Sequence, residues 1–331
     1  MTFMQFVMRK HFFTMFVVVK KHINTIMRIH RFLYVIMLSV FYCSAGAQSV
    51  DELVVSAFSK YAANDFQGAA DDYTRVITLA PEYTDAYFNR AICYEKLEKF
   101  KEALLDYNQV VLLNPSDKNV LINRSALLES MGKFELALSD LNKALEMDPV
   151  FAAAYYRRAA LYEKMNMDEE AVIDFLKFLE FYPGNTAALY YLGNIFDKNE
   201  EYAGAIRYYT MAISTDPSYV QAYYNRAYDY DLVFKQDSAI MDYTRVIELD
   251  PTYVDAWFNR GYIYDEMNEY EKAIADYSRA VQLNPEAADS YYNRGLARIS
   301  AGYKKLGCDD ILKAAQLGDK ISKKFYKINC R

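Results

Sequence analysis

Histidine is nearly absent from this sequence. The 331 residues include three, His11, His22 and His30, and none follows residue 47. Beyond that point there is no imidazole for a triad and no HExxH pair for zinc. No glycine-rich phosphate loop occurs, and the four cysteines fit no zinc spacing. Carboxylates are plentiful, but they recur on a fixed period, which makes them parts of a scaffold. These absences point away from an enzyme, and no catalytic, cofactor or metal residue is assigned.

Proline is scarce, and its placement is regular. The seven are Pro81, Pro115, Pro149, Pro183, Pro217, Pro251 and Pro285, each 34 residues after the last. A helix-breaking residue on a fixed period marks the end of a repeated unit. With proline at position 32, units start at 50, 84, 118, 152, 186, 220, 254 and 288. Position 8 is then always small: Ala57, Ala91, Ser125, Ala159, Gly193, Ala227, Gly261, Gly295. Position 20 is alanine in seven units and Gly307 in the eighth. Position 24 is mostly aromatic, and position 4 is large and apolar, including the sole tryptophan, Trp257. Apolar residues at 4, 8 and 11, and again at 17, 20, 24 and 27, have helical spacing. Each unit is therefore two helices, A and B, whose small residues let the backbones approach.

This pattern resembles the tetratricopeptide repeat family over residues 50–321, with 322–331 finishing a capping helix. The resemblance implies an all-α, right-handed solenoid of eight helix pairs. Ser49 and Glu52 form a capping-box signature, which starts helix A of unit 1 near Val50. Helix B of the last unit is expected around Cys308–Leu317, ending at Gly318. A final helix over about Lys320–Asn329 carries Ile321, Phe325 and Ile328 on one face, expected to cover the last unit.

Acidic residues are missing from the first 47 positions, which hold six lysines and arginines. An apolar run, Phe32–Cys43, and then Ala45-Gly46-Ala47 follow. That order reads as a signal peptide over residues 1–47, cleaved after Ala47, with Met27 as an alternative start. An uncleaved anchor and a lipidated Cys43 are the other readings. The run is shorter than the 20 or so apolar residues that usually span a membrane, and Tyr42 stands where lipoprotein signals resemble one another in having a small residue. The expected location is exported: periplasmic, envelope-associated or secreted. After cleavage no membrane insertion is expected. With those six cations gone, 32 remain against 44 carboxylates, a formal charge of −12. Such a surface repels nucleic acid. In an oxidising compartment Cys308 and Cys330 are placed to form a disulfide that holds the cap, and Cys93 reads as a core residue.

Arginine fills position 7 in six units and aspartate fills position 23 in seven. Unit 5 lacks both, with Leu192 and Tyr208, so the two columns are expected to pair within a unit. In the tetratricopeptide family, positions 2, 5, 9, 12 and 13 of helix A face a concave groove. Carried over, position 5 gives Phe88, Tyr156, Tyr190, Tyr224, Phe258 and Tyr292, and position 9 adds Asn194, Tyr228 and Tyr262. Position 12 gives an acidic row of Glu95, Glu129, Glu163, Asp197, Asp231 and Asp265. Position 6 contributes Asn225 and Asn259, amides able to bond a peptide backbone. An aromatic groove with an acidic row fits an extended, basic segment of a partner protein. The family's clamp for C-terminal carboxylates is not matched, because Tyr190, Asp255 and Asn259 replace its basic residues. The expected function is a protein-binding scaffold. A fixed subunit of an envelope assembly and a glycan-binding module are the alternatives. The position 5 tyrosines have a second reading too, as packing between helices.

Overall fold

A computed structural model describes residues 48–330. The expected signal peptide, its expected cleavage after Ala47, the alternative start at Met27 and Cys43 lie outside the described residues. Within them the chain is all helix, with no strand. The helices are α1 (Val50–Ala62), α2 (Phe66–Leu79), α3 (Thr84–Lys96), α4 (Phe100–Leu113), α5 (Lys118–Ser130) and α6 (Phe134–Met147). They continue as α7 (Ala152–Lys164), α8 (Asp168–Phe181), α9 (Thr186–Lys198), α10 (Tyr202–Thr215), α11 (Val220–Leu232) and α12 (Gln236–Leu249). The last are α13 (Val254–Glu266), α14 (Tyr270–Leu283), α15 (Ala288–Ser300), α16 (Lys304–Gln316) and α17 (Lys320–Asn329). Odd-numbered helices up to α15 are the A helices; each packs on its own B helix and, from α3 on, on the B helix before it. The result is an α-solenoid.

Local chemistry sets each boundary. Ser49 Oγ accepts from Glu52 N–H at 3.2 Å, and Ser49 N–H donates to Glu52 Oε2 at 3.0 Å, a complete capping box. Helix A then ends in a left-handed residue at position 15 of all eight units, from Asn64 to Gly302. The next amide folds back five residues, as Lys99 N–H does to Tyr94 O at 2.8 Å, which satisfies carbonyls at the helix end. Six of these left-handed residues are not glycine, and Phe234 is among them at φ 59°. Helix B stops before the proline: Pro81 sits in a turn closed by Tyr83 N–H donating to Ala80 O at 3.0 Å.

The core is a line of interfaces, not one centre. Positions 8 and 20 are buried in every unit. A Cβ added to Gly193 would stand 2.4 Å from the Tyr209 ring, and one on Gly307 would stand 2.5 Å from the Gly295 carbonyl oxygen. Cys93 is fully buried in this line. Trp257 packs at the edge of the core around Tyr243, and its Nε1–H donates to Pro251 O at 3.1 Å. Tyr155, in the same column of unit 4, bonds Pro149 O in the same way.

Two terminal expectations need correction. The last B helix begins at Lys304, four residues before Cys308. The final helix has the expected span, but Ile321 and Ile328 do not cover unit 8; they are 65% and 67% exposed. Ser322 is buried instead, and Phe325 meets the Tyr292 ring at 6.4 Å. The roll of α17 is set at its two ends. Asp319 caps it through Ser322 N–H at 2.7 Å, and Cys330 is joined to Cys308 by a disulfide. The face in line with Cys330, through Tyr326 and Ser322, is thereby turned inward.

Candidate functional site

The arginine column is fully engaged. Arg90, Arg124, Arg158, Arg226, Arg260 and Arg294 each hold the aspartate sixteen residues on through two parallel bonds of 2.6–2.8 Å. In unit 1, Ser56 and Lys60 take the arginine's place on Asp72, each at 2.6 Å. Burial and bidentate geometry make these structural pairs, so the row is not free to bind anions.

The third arginine nitrogen has a partner that the sequence reading missed. Nη1 donates to position 25 of the preceding unit: Thr74, Asn108, Asn142, Thr210, Thr244 and Ser278, at 2.7–3.2 Å. The signal was present. Column 25 is broken at Leu176, the position facing the missing arginine, Leu192. Rings at positions 4 and 11 flank the guanidinium, as Tyr223 and Tyr230 flank Arg226 at 5.6 and 5.7 Å.

The expected groove residues divide by depth. Five position 5 rings pack on position 24 rings: Phe88 on Tyr107, Tyr156 on Phe175, Tyr190 on Tyr209, Tyr224 on Tyr243 and Phe258 on Tyr277, at 5.5–5.8 Å. Tyr292, whose unit has Ile311 at that place, turns to Phe325. Asn259 Nδ2 donates to the Tyr224 hydroxyl at 3.0 Å, and Asn225 Nδ2 donates to the Tyr190 hydroxyl and Asn194 Oδ1, each at 3.1 Å. These groups stitch neighbouring units together and are half-buried. Tyr228 and Tyr262, at position 9, are 47% and 43% exposed. They are the accessible aromatic surface among the assigned residues.

The acidic row also changes character along the chain. Glu95 accepts a short bond from the Tyr107 hydroxyl, and burial raises its carboxyl pKa against that bond. Glu129 is met by Lys164 at 3.2 Å and by Arg157 at 4.0 Å. Burial raises Glu163, with Lys198 opposing. Asp197, Asp231 and Asp265 form no salt bridge among the described residues. Burial, then Glu266, raises Asp231 and Asp265. Uncompensated negative charge and accessible tyrosine thus coincide in units 5–7. No cluster of three or more possible metal ligands occurs, and no helix is long and apolar enough to cross a membrane, among the described residues.

This repeated pair of helices, with its locked arginines, defines a helical-repeat scaffold. Tetratricopeptide repeat family models match residues 84–117, 126–186, 186–219, 220–253 and 254–286. The chain belongs to the tetratricopeptide repeat family. No curated protein matches it significantly. Among solved structures it is similar to YrrB, described as a tetratricopeptide protein with an unusual peptide-binding site, at 28% identity and TM-score 0.50, over 56% of this chain and 95% of that one. It also resembles the C-terminal part of a repeat protein from Cytophaga hutchinsonii, at 20% identity and TM-score 0.64, over 72% and 97% of the two chains. A crystal structure of MamA aligns at 24% identity and TM-score 0.49, over 54% of this chain and 94% of MamA.

Proposed function

We propose that this scaffold binds an extended, basic segment of another protein along the A-helix face of units 5–7. The observation that carries the reading is the coincidence there of Tyr228 and Tyr262, both exposed, with Asp197, Asp231 and Asp265, which no cation neutralises among the described residues. Rigid tyrosines supply contact area at small entropic cost, and the carboxylates favour lysine and arginine. The peptide-binding description of YrrB supports the class of ligand. Asn225 and Asn259 act in this reading as supports for Tyr190 and Tyr224, not as peptide clamps. The protein acts as a binder, not an enzyme. It works outside the cytoplasm, and the Cys308–Cys330 disulfide supports that placement.

The test is binding of lysine- and glutamate-containing extended peptides, followed by anisotropy at low and high salt. Lysine peptides are expected to bind, with affinity falling as salt rises. Tyr228→Ala with Tyr262→Ala is expected to abolish that binding. Binding indifferent to both changes would move function to an end or to the B-helix face.

A further inference from the structure

One residue breaks the core pattern without any packing reason. Position 10 of helix A holds Cys93, Leu127, Leu161, Ile195, Asp229, Ile263 and Ala297 in units 2–8. All seven are buried, and Asp229 is 0% exposed. Neither of its carboxyl oxygens receives a hydrogen bond from a donor among the described residues. The helices packed around it offer little relief. Asp197 of α9 faces it, Tyr202 and Tyr209 of α10 lie within its field, and Tyr228 precedes it on α11. The Tyr209 hydroxyl is already donated to Asn194 Oδ1 at 2.8 Å. α12, also packed on α11, brings no charged group to it among the described residues.

Two facing carboxylates without a donor between them do not both stay charged. A hydrogen bond between Asp197 and Asp229 needs a proton on one of them. Burial, and then the Asp197 charge, push the Asp229 carboxyl up to about 8. The unit does not require this. Leucine or isoleucine fills the same place in four other units. The outer member of the pair, Asp197, belongs to the acidic row, and both it and Tyr228, whose ring is exposed, act on the Tyr202 hydroxyl.

We propose that Asp197 and Asp229 form a proton-exchanging recognition site, at the step between units 5 and 6, for a lysine or arginine side chain of a bound segment. The cation docks against Asp197 and the Tyr228 ring, and the shared proton leaves to solvent. Asp229 remains behind Asp197 as the second negative charge. The inference rests on the groove reading and adds to it a single position and a pH dependence. Below the raised pKa of Asp229, the proton competes with the cation. Affinity for a cationic segment then rises with pH, by up to about tenfold per unit for one released proton.

The experiment is calorimetry with a synthetic peptide of alternating lysine and glycine, at pH 7, in two buffers of different ionisation heat. The wild type is expected to release a fraction of a proton on binding. Asp229→Leu is expected to release none and to bind with a flat pH profile. This variant places in unit 6 the residue that Leu127 and Leu161 place in theirs, so folding is retained, as circular dichroism would verify. Asp197→Asn removes the docking carboxylate and is expected to weaken binding of the lysine peptide and to release no proton. A glutamine-for-lysine peptide should show neither binding nor proton release. Equal proton release and equal pH profiles in wild type and Asp229→Leu would overturn the site and leave the groove reading intact. Failure of the lysine peptide to bind the wild type would overturn both.

Discussion

Arg226 closes on Asp242 through two parallel hydrogen bonds of 2.7 and 2.8 Å, while its third nitrogen reaches Thr210 of the preceding unit at 2.9 Å. One side chain thus fastens α11 to α12 and to α10. Removing the carboxylate strands a mostly buried cation. Asp242→Ala is expected to cost about 3 kcal/mol or more, read from urea denaturation. The triple change Thr210→Leu, Arg226→Leu, Asp242→Tyr copies Leu176, Leu192 and Tyr208 at the preceding joint. It is expected to stay within about 1 kcal/mol of wild type, because buried ion pairs replaced by packed apolar groups are often neutral.

Asp229 gives stability a pH dependence of known sign. Its folded pKa is raised, from 3.8 to about 8. Its contribution is therefore fully present at acid pH and is lost as pH rises through about 8, because the unfolded chain ionises freely while the folded one resists. Denaturation midpoints of wild type and Asp229→Leu should diverge steadily over that interval, with the variant more stable at the alkaline end. Parallel curves would refute the shift.

Phe234 holds a left-handed backbone at φ 59° with 90% of its surface exposed. Units 3 and 8 use Gly132 and Gly302 at the same position. Phe234→Gly removes the Cβ strain, with an expected gain of about 1 kcal/mol in a urea midpoint.

Cutting the Cys308–Cys330 bridge frees the roll and the far end of α17. Reduction, or Cys308→Ser with Cys330→Ser, is expected to cost about 3 kcal/mol for a loop of this length. The loss should be local. Hydrogen exchange should rise in Lys320–Asn329 and remain unchanged before α15.

The repeat was readable because close packing acts on columns. Ala69, Ala103 and their equivalents sit where two backbones meet, and no larger side chain fits there. The Arg–Asp pairing was readable because Leu192 and Tyr208 lose it together. The inter-unit bond to column 25 left the same trace at Leu176, but it crosses a unit boundary, which a unit-by-unit alignment hides. Position 5 was ambiguous for another reason. Helical spacing puts Tyr190 and Tyr224 on the A-helix face, but only three-dimensional contact reveals Tyr209 and Tyr243 beneath them. The roll of α17 was not legible, because a covalent bond at Cys330 outweighs the preference of two isoleucines for burial.

Trp257 has an optical consequence. It is the sole indole in a chain with 32 tyrosines, and it is fixed to Pro251 O beside Arg260 at 5.1 Å. Fluorescence excited selectively at the indole therefore comes from unit 7 alone. Tyrosine emission and circular dichroism average over the whole array. Should the array melt progressively, the indole signal and the averaged signals would part company, and the gap between them would time the loss of unit 7 against the rest without any added label.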